Sequence, residues 1–255
     1  MEERRYSIGS LFSGIGGFEL GLERAIPGSY TRWQVEKDIK CHRILRKHWP
    51  AARIYNQVEE IKQENVERVD IICGGFPCQD ISSSGKKEGL NGTRSNLWWE
   101  MHRIIGELRP RIAVMENVSS ISVRGLGGVI GSLSEIGYDA EWCNIRASDF
   151  GAPHQRSRWF CVAYPRRRVS SNPNEERTKI SLERQYPSLE ESRSSSEKGR
   201  ALQYWRERFV KSRICRMDDG VPNRVDRINQ LGNAIVPQCS EWIGKKIWES
   251  GLLLD

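Results

Sequence analysis

A chain of 255 residues is long enough to bury a core, as one large domain or one large domain with a smaller partner. No run approaches the roughly 18 apolar residues of a membrane span, and the charged start Met1-Glu2-Glu3-Arg4-Arg5 argues against a secretory signal and for a cytoplasmic protein. The net charge of +7 suits a polyanionic partner and is concentrated in 166–213, where 13 Lys or Arg face 7 Asp or Glu.

Residues 6–12 read as a buried strand, and a glycine-rich turn then leads into a helix through Phe18, Leu22 and Ala25. Residues 69–73 form a second strand that ends in a Gly74-Gly75 turn. Leu97, Trp98, Met101, Ile104, Ile105 and Leu108 make one stripe of a helix over about 96–108, with Ser95 placed to cap it and Pro110 beyond its end. Apolar strands follow at 112–115 and 159–162. Such runs, separated by helices, predict an α/β fold with a parallel sheet covered on both faces. After Pro165 the pattern breaks, and 166–199 taken alone reads as a linker or disordered insertion. Periodic structure returns at 202–210, and Cys239, Trp242, Ile243 and Ile247 mark a short amphipathic helix. Ligands of such sheets bind beyond the carboxyl ends of the strands, so the turns after Phe12, Cys73 and Met115 should converge on one crevice.

Seven cysteines show no Cys-x-x-Cys pair and no zinc-like spacing with the four histidines, so no metal site is expected. Cys41, Cys73, Cys143, Cys161, Cys215 and Cys239 lie in apolar settings and read as small core residues. Cys78 differs. It follows Pro77 at the exit of a buried strand, with Gln79, Ser82 and Ser84 beyond, and basic neighbours there favour the nucleophilic thiolate.

The turn Phe12-Ser13-Gly14-Ile15-Gly16-Gly17 lets backbone approach a ligand closely, although its spacing serves a tight structural turn equally well. Glu36, about 20 residues on, is placed to take ribose hydroxyls. Glu116-Asn117-Val118 exposes an acid at the end of an apolar strand, able to hydrogen-bond or protonate a bound base. Arg156 and Arg158 alternate to one side, opposite Ser157, as rigid donors for carbonyl or phosphate oxygens.

In this order, the Gly-x-Gly-Gly turn, Pro77-Cys78-Gln79, Glu116-Asn117-Val118, the Arg156-Ser157-Arg158 block and Gly232-Asn233-Ala234 resemble the DNA (cytosine-5) methyltransferase family. The likeness covers 11–164 and 219–247, and 220–227 resembles the phage-type branch. It implies an α/β, mostly parallel, Rossmann-like sheet that binds S-adenosylmethionine and releases S-adenosylhomocysteine. The implied layout is a catalytic and cofactor-binding domain over 1–165, a short target-recognition region over 166–218, and a segment over 219–255 that returns to the catalytic domain. Cys78 would attack C6 of a flipped-out cytosine, Glu116 would hold N3 and the exocyclic amine, and Arg158, with Arg156 behind it, would hold O2. Phe12, Ser13, Gly14, Ile15, Gly16, Glu36, Gln57, Val58, Gly75, Pro77, Leu97, Asn233 and Ala234 would contact the cofactor. Gln79, Ser82, Ser84, Arg94, Tyr204, Arg206 and Arg208 would contact double-stranded DNA. The same resemblance implies an enzyme encoded by a bacterium, phage or prophage, with a place in restriction-modification; a monomer is the default expectation for one asymmetric base-flipping event.

Four positions depart from the family pattern. Gln57 replaces an acid, Lys37 an aromatic residue, His154 a Gln and Arg146 an Asn; none removes a chemical step. The 166–218 region is short, so it is either a minimal recognition module or too small to add much to phosphate contacts. Three rival readings stay in view. A nicotinamide oxidoreductase would share the first turn but has no use for Pro-Cys-Gln. Methylation of RNA would use the same chemistry. A non-catalytic DNA-binding relative would be expected to lack Cys78, Glu116 or an arginine.

Overall fold

The computed structural model describes residues 4–77, 96–152, 154–166, 180–182 and 234–254. Its strands are β1 (Tyr6–Leu11), β2 (Ser29–Val35), β3 (Arg53–Tyr55), β4 (Ile71–Gly75), β5 (Ile112–Val118), β6 (Tyr138–Arg146) and β7 (Ser157–Pro165). They form one seven-stranded sheet in the order β3-β2-β1-β4-β5-β7-β6. The first five run parallel, while β7 lies antiparallel between β5 and β6. The helices are α1 (Gly17–Ala25), α2 (Ile39–His48), α3 (Asn96–Leu108), α4 (Ile121–Arg124), α5 (Leu126–Glu135) and α6 (Pro237–Glu249). This is the α/β, mostly parallel architecture expected from the sequence. No helix among the described residues is long and apolar enough to cross a membrane.

The two-residue repeat of a strand sorts its side chains to two faces. Ala113 and Met115 of β5, with Cys161 and Ala163 of β7, share one core with Trp98, Met101, Ile104, Ile105 and Leu108 of α3. Ile112, Val114, Phe160 and Val162 point the other way, into a second core with Phe18 and Leu22 of α1 and Ile243 and Ile247 of α6. The apolar stripes read from the sequence in α3 and α6 are therefore the faces that meet the sheet. Ile180 and Leu182, inside the stretch read as a polar linker, are buried in that second core.

Several boundaries differ from the sequence reading. β4 begins at Ile71 rather than Val69 and runs on through Gly74 and Gly75, which pair with Met115 and Glu116 instead of turning. β5 does not stop at Met115, because Glu116, Asn117 and Val118 find partners in Phe160, Trp159 and Arg158. A strand continues past its apolar run when a neighbour supplies the ladder. β2, β3, β6 and α2 carried no distinct apolar pattern. Cys41, Cys73, Cys161 and Cys239 are buried as expected, whereas Cys143 is only partly so, on the edge strand β6. Cys215, Ser95 and the periodic run at 202–210 lie outside the described residues.

Candidate active site

β1 ends at Leu11 and is followed by Phe12, whose φ of 56° lies in the left-handed region, then by Gly14 at 56° and Gly16 at 86°. Gly16 caps α1, and a Cβ there would stand 2.2 Å from the Trp49 ring as well as in a strained backbone. Glu36, just past β2, ties this turn to its own: Oε2 accepts from Gly14 N at 2.6 Å and Oε1 from Asp38 N at 2.7 Å. His42, buried on α2, lies 2.6 Å through Nε2 from the Glu36 carbonyl, so the backbone of the same residue is held from behind. Asp38 caps α2 by accepting from Lys40 N at 2.9 Å.

The other wall belongs to β4, β5 and β7. Glu116 and Phe160 are directly paired, so Arg158, two residues before Phe160, is a diagonal neighbour on the same face. Its Nε lies 3.0 Å from Glu116 Oε1. The sequence reading placed Glu116 as an exposed acid; it is only 8% exposed. Burial pushes its pKa up to about 7, against the opposing pull of the Arg158 and Arg156 charges and the Arg158 hydrogen bond. Arg156 is itself pushed down by burial and by the Arg158 charge, with Glu116 acting the other way. Gly75 makes room for the carboxylate, since a Cβ there would lie 2.8 Å from Glu116 Oε2. Asn117 Nδ2 donates to the Phe76 carbonyl at 3.0 Å and so fixes the exit of β4 just before Pro77.

Both walls face one cavity of about 710 Å³. Of the expected cofactor contacts it is lined by Phe12, Gly14, Glu36, Gln57, Val58, Gly75, Pro77 and Leu97, and of the expected catalytic residues by Glu116, Arg156 and Arg158. The ends of β1, β4 and β5 thus reach a common space, as the strand-end rule anticipates, although the expected turns after Cys73 and Met115 are continued strand. Ile15, Gly16 and Ala234 line a second cavity of about 310 Å³, together with His154. Ser13 faces the interior, its Oγ donating to Ser10 Oγ at 2.9 Å. Cys78, Gln79, Ser82, Ser84, Arg94, Tyr204, Arg206, Arg208 and Asn233 lie outside the described residues.

Asp38, Cys41, Asn56, Glu59, Phe76 and Asn117 also line the large cavity, as does Lys37, noted in the sequence only as a departure. Their positions follow from the ends of β2, β3, β4 and β5 and the start of α2, of which β2, β3 and α2 carry little signal alone. Cys41 is no nucleophile: burial, Glu36 and Asp38 push its thiol up to about 12. The cavity volume falls in the range of cofactor pockets. Carboxylates at one end suit hydroxyls or a cationic group, and the arginines at the other suit carbonyl oxygens.

A model of the family "C-5 cytosine-specific DNA methylase" matches residues 6–216. The Type II methyltransferase M1.ScrFI of Lactococcus lactis subsp. cremoris is 31% identical over 69% of this chain and 48% of its own length. The Type II methyltransferase M.CviJI of Paramecium bursaria Chlorella virus IL3A is 36% identical over 60% of this chain and 41% of its own. The chain thus spans less than half the length of these curated relatives. Among solved structures, one described as a DNA modification methyltransferase encoded within a prophage (E. coli) superposes with a TM-score of 0.52 at 28% identity, over 63% of this chain and 47% of that one.

Proposed function

The chain belongs to the C-5 cytosine-specific DNA methylase family, and from that premise we propose that it transfers a methyl group from S-adenosylmethionine to C5 of cytosine in DNA. The observation that carries this reading is the shared cavity: Glu116, Arg158 and Arg156 stand on one wall, and the Phe12–Gly14 turn and Glu36 on the other.

The cofactor supplies an electrophilic methyl group. Phe12, Gly14, Val58, Gly75, Pro77 and Leu97 would form its walls, with Glu36 taking the ribose hydroxyls through acceptor capacity left over from Gly14 and Asp38. Ile15, Gly16 and Ala234, also expected as cofactor contacts, line the second cavity instead. Cys78, as thiolate, adds to C6 of a cytosine turned out of the duplex, and the electron pair of the 5,6 double bond becomes available at C5. Glu116 bonds to N3 and the exocyclic amine of that base. A carboxyl poised near pH 7 supplies a proton to N3 as negative charge develops there. Arg158 and Arg156 hold the O2 carbonyl. Once C5 carries the methyl group, solvent base removes the C5 proton, the Cys78 thiolate leaves as the 5,6 double bond re-forms, and N3 returns its proton to Glu116.

The test uses DNA carrying 5-fluorocytosine at the target site, identified by base-resolution methylation sequencing of host DNA after expression. Fluorine at C5 blocks the final elimination, so wild-type protein with S-adenosylmethionine should give a covalent complex that survives denaturation. Cys78→Ala should abolish both this complex and methyl transfer while leaving cofactor binding within about twofold. An active Cys78→Ala protein overturns the mechanism.

A further inference from the structure

Between α1 and the sheet, directly beneath the first glycine turn, lies a polar cluster that the proposed chemistry does not use. Glu19 of α1, Ser10 of β1 and Gln34 of β2 are wholly buried, and Ser13 is 8% exposed. Gln34 Nε2 donates to Glu19 Oε1 at 3.0 Å, and Ser13 Oγ donates to Ser10 Oγ at 2.9 Å. Glu19 Oε2 and Gln34 Oε1 are both buried acceptors without a hydrogen-bond partner.

The groups around Glu19 are Ser10, Ser13 and Gln34, together with the buried thiol of Cys73 on β4. Glu23, one turn along α1, adds a further acid that reaches Cys73. None of these is a cation. An ionised carboxylate would therefore sit desolvated and unpaired, among groups already short of donors. A single proton on Glu19 removes the charge and adds the O–H donor that the cluster lacks. Burial pushes the Glu19 pKa up in the same direction, opposed first by a backbone hydrogen bond and then by those of Ser10, Gln34 and Ser13.

We propose that Glu19 is a positioning residue, held as a neutral carboxylic acid, that ties Ser13 to β1 and β2 and so fixes the Phe12–Gly14 turn at the cofactor end of the cavity. This rests on the reading of that cavity as the S-adenosylmethionine site. The cluster acts on the turn from behind, because Ser13 faces inward while Phe12 and Gly14, on either side of it, line the cavity.

The experiment combines S-adenosylmethionine affinity by calorimetry with infrared spectroscopy of the whole protein at neutral pH. Wild-type protein should show the C=O stretch of a protonated buried carboxyl that Glu19→Gln lacks. Glu19→Gln, a neutral isostere, should keep cofactor affinity within about threefold, whereas the paired change Glu19→Leu with Gln34→Leu should weaken it about tenfold. Removing both partners of a buried pair is close to neutral for stability, so a merely structural role leaves the affinity of that double variant unchanged. Ser13→Ala, a smaller change, should weaken binding about fivefold and decides the matter if the double variant does not fold. Unchanged affinity in a folded double variant, or in Ser13→Ala, overturns the proposal, as does the absence of the protonated-carboxyl band. Failure of the wild-type protein to bind S-adenosylmethionine overturns instead the reading of the cavity.

Discussion

At the β1–β3 end of the large cavity the wall is mostly backbone and turn: Phe12, Gly14, the Glu36 bridge to Gly14 and Asp38, and the 3-10 turn at Val58–Glu60. At the β5–β7 end it is three charged side chains: Glu116 and Arg158, on strands that pair antiparallel, and Arg156 just before the second of them. The first end is set by where the chain turns. The second is set by ionisation states that burial and neighbouring charge decide. Shape and charge are thus divided between the parallel and antiparallel parts of one sheet, and substitutions at the two ends should fail in different ways.

The largest effect is expected at the charged end. Glu116→Gln keeps the shape but removes the proton source, and methyl transfer should fall about 10³-fold in kcat with cofactor affinity little changed. In the wild type the protonated fraction of Glu116 falls as pH rises through about 7. kcat/KM should therefore decline on that alkaline limb, and the Gln variant should lack the decline. Stability carries the same signature. Because the folded state holds the Glu116 proton more tightly than the unfolded chain, this contribution is full below the ordinary carboxylate value of 4.5 and is lost as pH rises towards 7. Denaturant titrations at pH 5 and pH 8 should show a loss on the order of 3 kcal/mol in the wild type that is smaller in Glu116→Gln.

A smaller effect should separate geometry from charge within the same wall. In Gly75→Ala the new methyl group falls 2.8 Å from Glu116 Oε2 and 3.3 Å from Ile235 Cδ1. The carboxylate, at the end of a flexible side chain, gives way more easily than backbone. Stability should drop by only about 1 kcal/mol while kcat falls roughly 30-fold, because the acid is displaced rather than lost. Equal losses in the two measurements would mean that the strand, not the carboxylate, had moved.

The smallest effect is expected at the turn-built end. Glu36→Gln keeps one of the two acceptors that bridge Gly14 and Asp38, so S-adenosylmethionine affinity should weaken about fivefold, with kcat at saturating cofactor nearly unchanged. A kcat effect as large as that of Glu116→Gln would erase the distinction between the two ends.

Much of the architecture was legible because α3, β4 and β5 announce themselves as a helical stripe and two continuous apolar runs. β2 was not, since its sequence Ser-Tyr-Thr-Arg-Trp-Gln-Val mixes polar and apolar residues, and Gln34 is buried only because Glu19 meets it. β6 escaped for a different reason: as an edge strand it keeps Trp142 and Asn144 in the open and carries no continuous apolar face. The burial of Glu116 was illegible in any local window. It depends on β7 returning about 40 residues later to pair with Val118 and bring Arg158 alongside. Motif order named the members of the large cavity well because those motifs are short strand ends, whereas Ser13 shares its motif but turns its side chain inward.

Phe12 carries a further lesson. A bulky aromatic at a φ of 56° costs on the order of 1–2 kcal/mol that glycine or asparagine would largely avoid. A library of variants sorted for heat resistance alone should therefore drift away from phenylalanine at this position, and one sorted for ligand retention should keep it. Where those two selections part company, the residue marks the difference between a chain evolved to last and one evolved to hold something.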